Sequence, residues 1–128
     1  MKINGIIYEG NFLDGNLHGK GKKTFPDGTC IEGMYERGII NGRGVMRLTD
    51  GSIYTGELLN EKMHGKGTLI TLDGIEYRGS FMNNEKHGVG YVVKGNSQLQ
   101  QQWQSGKLKS QQDNSSNQLV LEEVEDFL

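Results

Sequence analysis

The sequence predicts an all-β protein, an elongated and twisted single-layer antiparallel sheet of stacked β-hairpins. Three observations predict it. A phrase recurs four times at an unbroken interval of 23 residues: an aromatic or aliphatic residue, one spacer, a glycine, and eight residues later a His-Gly-x-Gly or Asn-Gly-x-Gly. The anchors are Tyr8/Gly10, Ile31/Gly33, Tyr54/Gly56 and Tyr77/Gly79, and the second marks begin at His18, Asn41, His64 and His87. A further glycine keeps the same step, at Gly5, Gly28, Gly51 and Gly74. Self-similarity at a fixed period means a repeat architecture, in which each unit buries its apolar face on its neighbours. Composition agrees, since only 34% of the 128 residues are apolar while 20 are glycine and one is proline. A compact globule of this length needs more apolar side chains, whereas a thin sheet does not. The glycines follow no three-residue period, which excludes collagen.

Taken in order, each repeat reads as one hairpin. In the first, residues near Ile7–Leu13 make one strand and Lys20–Phe25 the other. The glycine-rich His-Gly-x-Gly reads as a turn, where positive φ or close backbone approach is needed. Pro26-Asp27-Gly28, Thr49-Asp50-Gly51 and Leu72-Asp73-Gly74 fill the turn between hairpins. Two-residue alternation then sorts the faces. One face collects Tyr8, Phe12, Ile31, Tyr35, Tyr54, Leu58, Tyr77 and Phe81, with Phe25, Met46, Leu48, Leu69 and Val92 from the second strands. A glycine separates the paired apolar slots of each unit, leaving a gap that neighbouring rings can fill. The opposite face is mostly polar. After Val93 the pattern slips by one residue, so Leu99, Gln101, Trp103 and Gly106 fall in the repeat slots. Gln101 in place of the glycine marks a terminal, atypical unit.

The chain divides into a repeat sheet over residues 1–106, a polar linker over 107–118 and an acidic amphipathic segment over 119–128. The Ser/Gln/Asn-rich linker is expected to be flexible when unbound. The last segment places Val120, Leu121, Val124, Phe127 and Leu128 on one face of a short helix. A helix so short needs something to dock on, either the end of its own sheet or a partner.

Charge is uneven. All 14 basic side chains lie within the first 110 residues, against 11 acidic ones, and the other five acids lie beyond Lys109. This balance is too weak for nucleic-acid binding. Cys30 is the only cysteine, so stability comes from packing and hydrogen bonds. Met1–Gly5 lacks the apolar core of a secretory signal, and no stretch approaches a membrane span, so an intracellular setting is expected.

The three histidines are poor metal ligands by spacing. His64 and His87 are one repeat apart, about 10 Å at roughly 4.8 Å per strand, whereas zinc holds its ligands at about 2 Å. Asn41 in the matching slot points to a local hydrogen bond instead. Gly19-Lys20-Gly21 and Gly65-Lys66-Gly67 lack the strand–loop–helix context of a nucleotide loop. No cofactor, metal or catalytic constellation is expected. The aromatic face is the better binding candidate, because contiguous exposed apolar surface marks interaction sites. Its contact residues are Tyr8, Phe12, Tyr35, Tyr54, Tyr77, Phe81 and Trp103, joined by Val124 and Phe127 of the C-terminal segment, and the occupant is a helix or an extended peptide. A second reading is a peripheral membrane or phosphoinositide contact through Lys20, Lys22, Lys23 and Lys66.

The motifs Tyr8-Glu9-Gly10-Asn11-Phe12, Gly15-Asn16-Leu17-His18-Gly19-Lys20-Gly21 and Asp27-Gly28 resemble the MORN repeat, and the resemblance covers roughly residues 5–106. Ile31, Asn41 and Leu58 depart from the usual residue types. The resemblance implies a rod-like twisted sheet that serves as a non-catalytic scaffold or adaptor. It implies a protein partner in a cilium, flagellum or other cytoskeletal assembly, with anionic lipid as the alternative.

Overall fold

A computed structural model describes residues 1–113 and 118–119. They form one open antiparallel sheet whose strands follow chain order without a crossover. The strands are β1 (Lys2–Ile3), β2 (Ile6–Leu13), β3 (Asn16–Thr24), β4 (Cys30–Glu36), β5 (Ile39–Arg47) and β6 (Ile53–Leu59). They continue as β7 (Lys62–Ile70), β8 (Glu76–Met82), β9 (Glu85–Lys94), β10 (Ser97–Gln104), β11 (Lys107–Asp113) and β12 (Gln118–Leu119). At about 4.8 Å per strand the ribbon is roughly 50 Å across. The all-β class, the single layer and the hairpin order are those expected from the 23-residue period.

The turns between hairpins fall at Gly28, Gly51 and Gly74 as expected, but those within the hairpins do not fall at His-Gly-x-Gly. Chain reversal within each hairpin uses two residues with positive φ at both, Asp14-Gly15, Arg37-Gly38, Asn60-Glu61 and Asn83-Asn84. This is the type I′ geometry, whose twist matches that of the flanking strands. His-Gly-x-Gly lies inside the second strand and forms a bulge. Gly10 pairs with Gly21 but Phe12 with Leu17, and the same shift recurs in the three later hairpins. Gly19 carries the strained conformation, with φ of 83°. Extra residues on one strand bend it and increase its twist, and repetition of that bend lets a single layer fold over its own apolar face.

Between hairpins, Phe25 N–H donates to Thr29 O at 2.8 Å and Gly28 N–H to Phe25 O at 2.9 Å. The Thr29 backbone N–H donates to Asp27 Oδ1, which holds that carboxyl below its ordinary pKa. Equivalent backbone pairs close at Leu48/Ser52 and Thr71/Ile75. The last link is shorter. Only Gly95-Asn96 separates Lys94 from its partner Ser97, and this two-residue link accounts for the one-residue slip.

The sheet also runs further than the repeats. Lys107–Asp113, read as the start of a flexible polar linker, forms β11 against β10. Its pairing is backed by burial of Gln111, whose side-chain Oε1 accepts from Gln101 Nε2 at 2.7 Å. Trp103 Nε1 donates in turn to Gln101 Oε1 at 2.9 Å. A satisfied polar network of this kind closes the end of the core without leaving an unpaired buried amide. The short helix read over 119–128, with Val124 and Phe127, lies outside the described residues apart from Leu119 in β12.

Candidate functional site

The site question reduces to which parts of the inner face remain open. One column of backbone pairs runs along the sheet: Gly10, Gly21, Gly33, Gly44, Gly56, Gly67, Gly79 and Gly90, then Gln101 and Gln111. Aromatic rings lie down on that column. A methyl group at Gly67 would stand inside the Tyr54 ring, and one at Gly90 inside the Tyr77 ring. Glycine is required here by close approach.

In the C-terminal half the rings link up. Tyr54 and Phe81 meet edge to face with centroids 5.0 Å apart, Phe81 and Tyr77 at 5.3 Å, and Tyr77 and Trp103 at 6.5 Å. Each such pair contributes about 0.5–1.5 kcal/mol beyond the area it buries. The Tyr54 hydroxyl donates to Glu57 O at 2.6 Å, so its one polar atom is satisfied. Desolvation on burial, aided by the Glu57 charge, pushes the Tyr54 phenol up to about 12. Burial does the same to Tyr77, also to about 12, and raises Tyr35 further.

The structure therefore places the sequence-predicted contact residues in two groups. Tyr35, Tyr54, Tyr77, Phe81 and Trp103 are buried in the chain's own core, Tyr54 completely. Tyr8 is half-buried and Phe12 is 41% exposed. The reason is the ladder itself. Phe81 is covered by Tyr54 of the preceding unit, and Phe12 has no unit before it to supply such a ring. An opening of about 220 Å³ remains there, lined by Met1, Ile3, Tyr8, Phe12, Leu17 and Lys23. A second, wider groove of about 600 Å³ lies beside Phe25, Leu48 and the buried Ile31 and Met46, with Asp27 and the later hairpin tips at Asn60, Glu61 and Asn84 on its rim. Ile31 stands where other units carry tyrosine, and Ile40 and Leu58 take the space over Gly33 and Gly44 that a ring would fill.

The four predicted lipid-contact lysines do not share a face. Lys20 and Lys66 are exposed on the outer face, where Lys66 Nζ donates to Ser80 Oγ at 3.0 Å. Lys22, also outer, lies in register between Glu9 and Glu32. Lys23 lies on the inner face, pairs with Glu61 at 2.9 Å, and sits 5.7 Å from the Tyr8 and Tyr35 ring centroids. A second inner lysine is Lys86. It stands over Tyr77 and Trp103 at 4.7 and 4.6 Å. Counting by two from Gly21 would have found the first, and stepping back by 23 from Lys86 to Met63, Ile40 and Leu17 would have found the second.

His87 Nδ1 accepts the Ser105 backbone N–H at 3.2 Å, tying one hairpin tip to the preceding strand. His18 and His64 bury Nδ1 with no partner among the described residues. Among the described residues, no three His, Cys, Asp or Glu side chains converge on a metal position.

A single sheet of self-similar hairpins in chain order defines a repeat protein. The MORN repeat profile matches residues 8–30, 32–53, 54–74 and 77–96, and the chain belongs to the MORN repeat family. MORN repeats are commonly protein- or membrane-binding scaffold modules and are generally non-catalytic. No curated protein matches the chain.

Proposed function

We propose that this chain is a non-catalytic adaptor that seats an apolar segment of a protein partner, a helix or an extended peptide, on the inner face of its N-terminal half. The observation that carries the reading is the contrast between the sealed Tyr54–Phe81–Tyr77–Trp103 ladder and the open groove over Phe25, Ile31, Met46 and Leu48. Phe25 and Leu48 are the partly exposed members of that groove beside the buried Ile31 and Met46, and apolar concavities with a polar rim accept partner side chains. The setting, a ciliary, flagellar or other cytoskeletal assembly, rests on the family resemblance alone. Lipid contact through Lys20, Lys22, Lys23 and Lys66 draws less support, because Lys23 is taken up by Glu61 and Lys22 is flanked by acids.

Affinity purification from the source cell, run in parallel on three folded chains, tests this. Phe25→Ser and Leu48→Ser should each release the partner that the wild type retains, while Met82→Ser on the outer face should not. Retention by both groove variants would remove the proposal.

A further inference from the structure

Two lysines reach the inner face, and they differ in one respect. Lys23 takes the slot that Met46, Leu69 and Val92 fill in the other repeats, as their shared pairing with first-slot residues shows. It lies over two rings and has a carboxylate, Glu61, at 2.9 Å. Glu61 holds a backbone φ of 64° at a turn position occupied by glycine in the first two hairpins. Non-glycine residues hold such φ values at a cost of about 1 kcal/mol, and the ion pair offsets it.

Lys86 takes the slot of Leu17, Ile40 and Met63, all three buried. It lies over two rings as well, in the corner of the Tyr77–Trp103 pair. Among the described residues the ion pairs are Lys23–Glu61, Arg47–Glu32 and Arg78–Glu76, and none includes Lys86. The sister repeats show that this backbone position accepts an apolar side chain, so packing does not call for lysine. A half-buried ammonium without an acid is costly, and the cost is visible in the depressed proton affinity of Lys86, for which burial is the cause. A cation already stripped of much of its water, in a low-dielectric corner, gains more from an arriving anion than an exposed lysine does.

We infer that Lys86 is an anchor for a carboxylate, which completes over Tyr77 and Trp103 the ring–lysine–carboxylate arrangement that Tyr8, Tyr35, Lys23 and Glu61 already make. A single ammonium suits a single carboxylate, and the flanking rings suit one carried on an apolar segment. This goes beyond the proposed groove, which lies in the other half, and stands or falls separately from it. Two sources have the required chemistry: acids of this chain beyond Lys109, among them Glu122, Glu123, Glu125 and Asp126, and an acidic segment of another protein.

The test follows the Lys86 side chain by NMR in the full-length protein labelled with carbon-13 at lysine Cε, with Lys86→Met assigning the resonance. Neutralising Glu122, Glu123, Glu125 and Asp126 to glutamine forms the first arm. If these acids supply the carboxylate, the Lys86 titration midpoint falls by about one pH unit or more. The second arm adds the peptide Ac-Val-Glu-Phe-NH2 and its glutamine counterpart to the quadruple variant. An external carboxylate shifts Lys86 with the glutamate peptide alone, and affinity drops at least about tenfold in Lys86→Met. A Lys86 that responds in neither arm overturns the inference. So does a loss of about 4 °C or more in melting temperature for Lys86→Met, which would make Lys86 a packing residue; the inference expects Met, as at Met63, to be neutral or stabilising.

Discussion

The two halves of this sheet share one repeat phrase and one glycine column, yet one half carries a continuous ladder of rings while the other leaves Tyr8, Phe12, Phe25 and Leu48 partly exposed beside its buried residues. From Tyr54 to Trp103 every ring finds the next, and glycine lets each ring lie against the backbone. From Tyr8 to Tyr35 the ladder is broken by Ile31, and the corner between Tyr8 and Tyr35 is filled by Lys23 instead of a ring. Small departures from a repeat therefore decide which stretch becomes core and which remains a surface. In a single-layer repeat protein, the irregular unit is the place to look for recognition.

The contrast can be broken most directly by removing rings. Tyr54→Ala should cost about 3–5 kcal/mol in urea unfolding, and Phe12→Ala at most about 1 kcal/mol. Equal costs would mean that the halves do not differ. Added methyl groups probe the same point from the backbone side. Gly67→Ala drives a methyl into the Tyr54 ring and should cost about 3 kcal/mol. Gly21→Ala meets Leu17 and Tyr35 side-chain carbons at 3.0 Å, which can shift, and should cost about 1 kcal/mol. The closing network at the C-terminal edge is next in size. Gln101→Ala removes the acceptor of Trp103 Nε1 and the side-chain donor to Gln111 Oε1 and should cost about 2 kcal/mol, read as an earlier urea midpoint with an unchanged slope.

The last effect is a pH dependence set by the buried lysine and tyrosines. Burial pulls the Lys86 ammonium down to about 8, against 10.5 for the unburied side chain. Between those values the unfolded chain binds more protons than the folded one, so stability should rise from pH 8 to about 10. Tyr54 and Tyr77, held up to about 12 when folded, lose that advantage above pH 10, and stability should then fall. In Lys86→Met the rise should vanish and the fall remain. An unchanged rise would assign it to other groups.

Much of this was legible in the sequence. The period gave the single-layer sheet, and two-residue alternation placed Tyr8, Tyr35, Tyr54, Tyr77 and Phe81 on one face before any coordinates. What escaped has physical causes. Gly19 and its counterparts read as turns because glycine tolerates both a turn and a bulge, while the true turns, Arg37-Gly38 and Asn60-Glu61 among them, change identity from unit to unit. β11 was hidden because Ser110 and Gln111 look like linker, and only the pairing of Gln111 with Gln101 shows why a polar strand is held. Lys23 was read as a lipid contact and Lys86 went unplaced because charge is normally solvated. Burial of the rings was not legible at all, since it depends on the bend that repeated bulges impose on the whole sheet.

Amide hydrogen exchange, measured with and without the partner recovered by affinity purification, addresses the central claim most directly. The account predicts added protection in β2 and in the 25–31 and 46–48 stretches that wall the groove, with β7 to β10 unchanged. Protection confined to β7 through β10 would contradict it, because the sealed ladder would then be the surface that opens to bind.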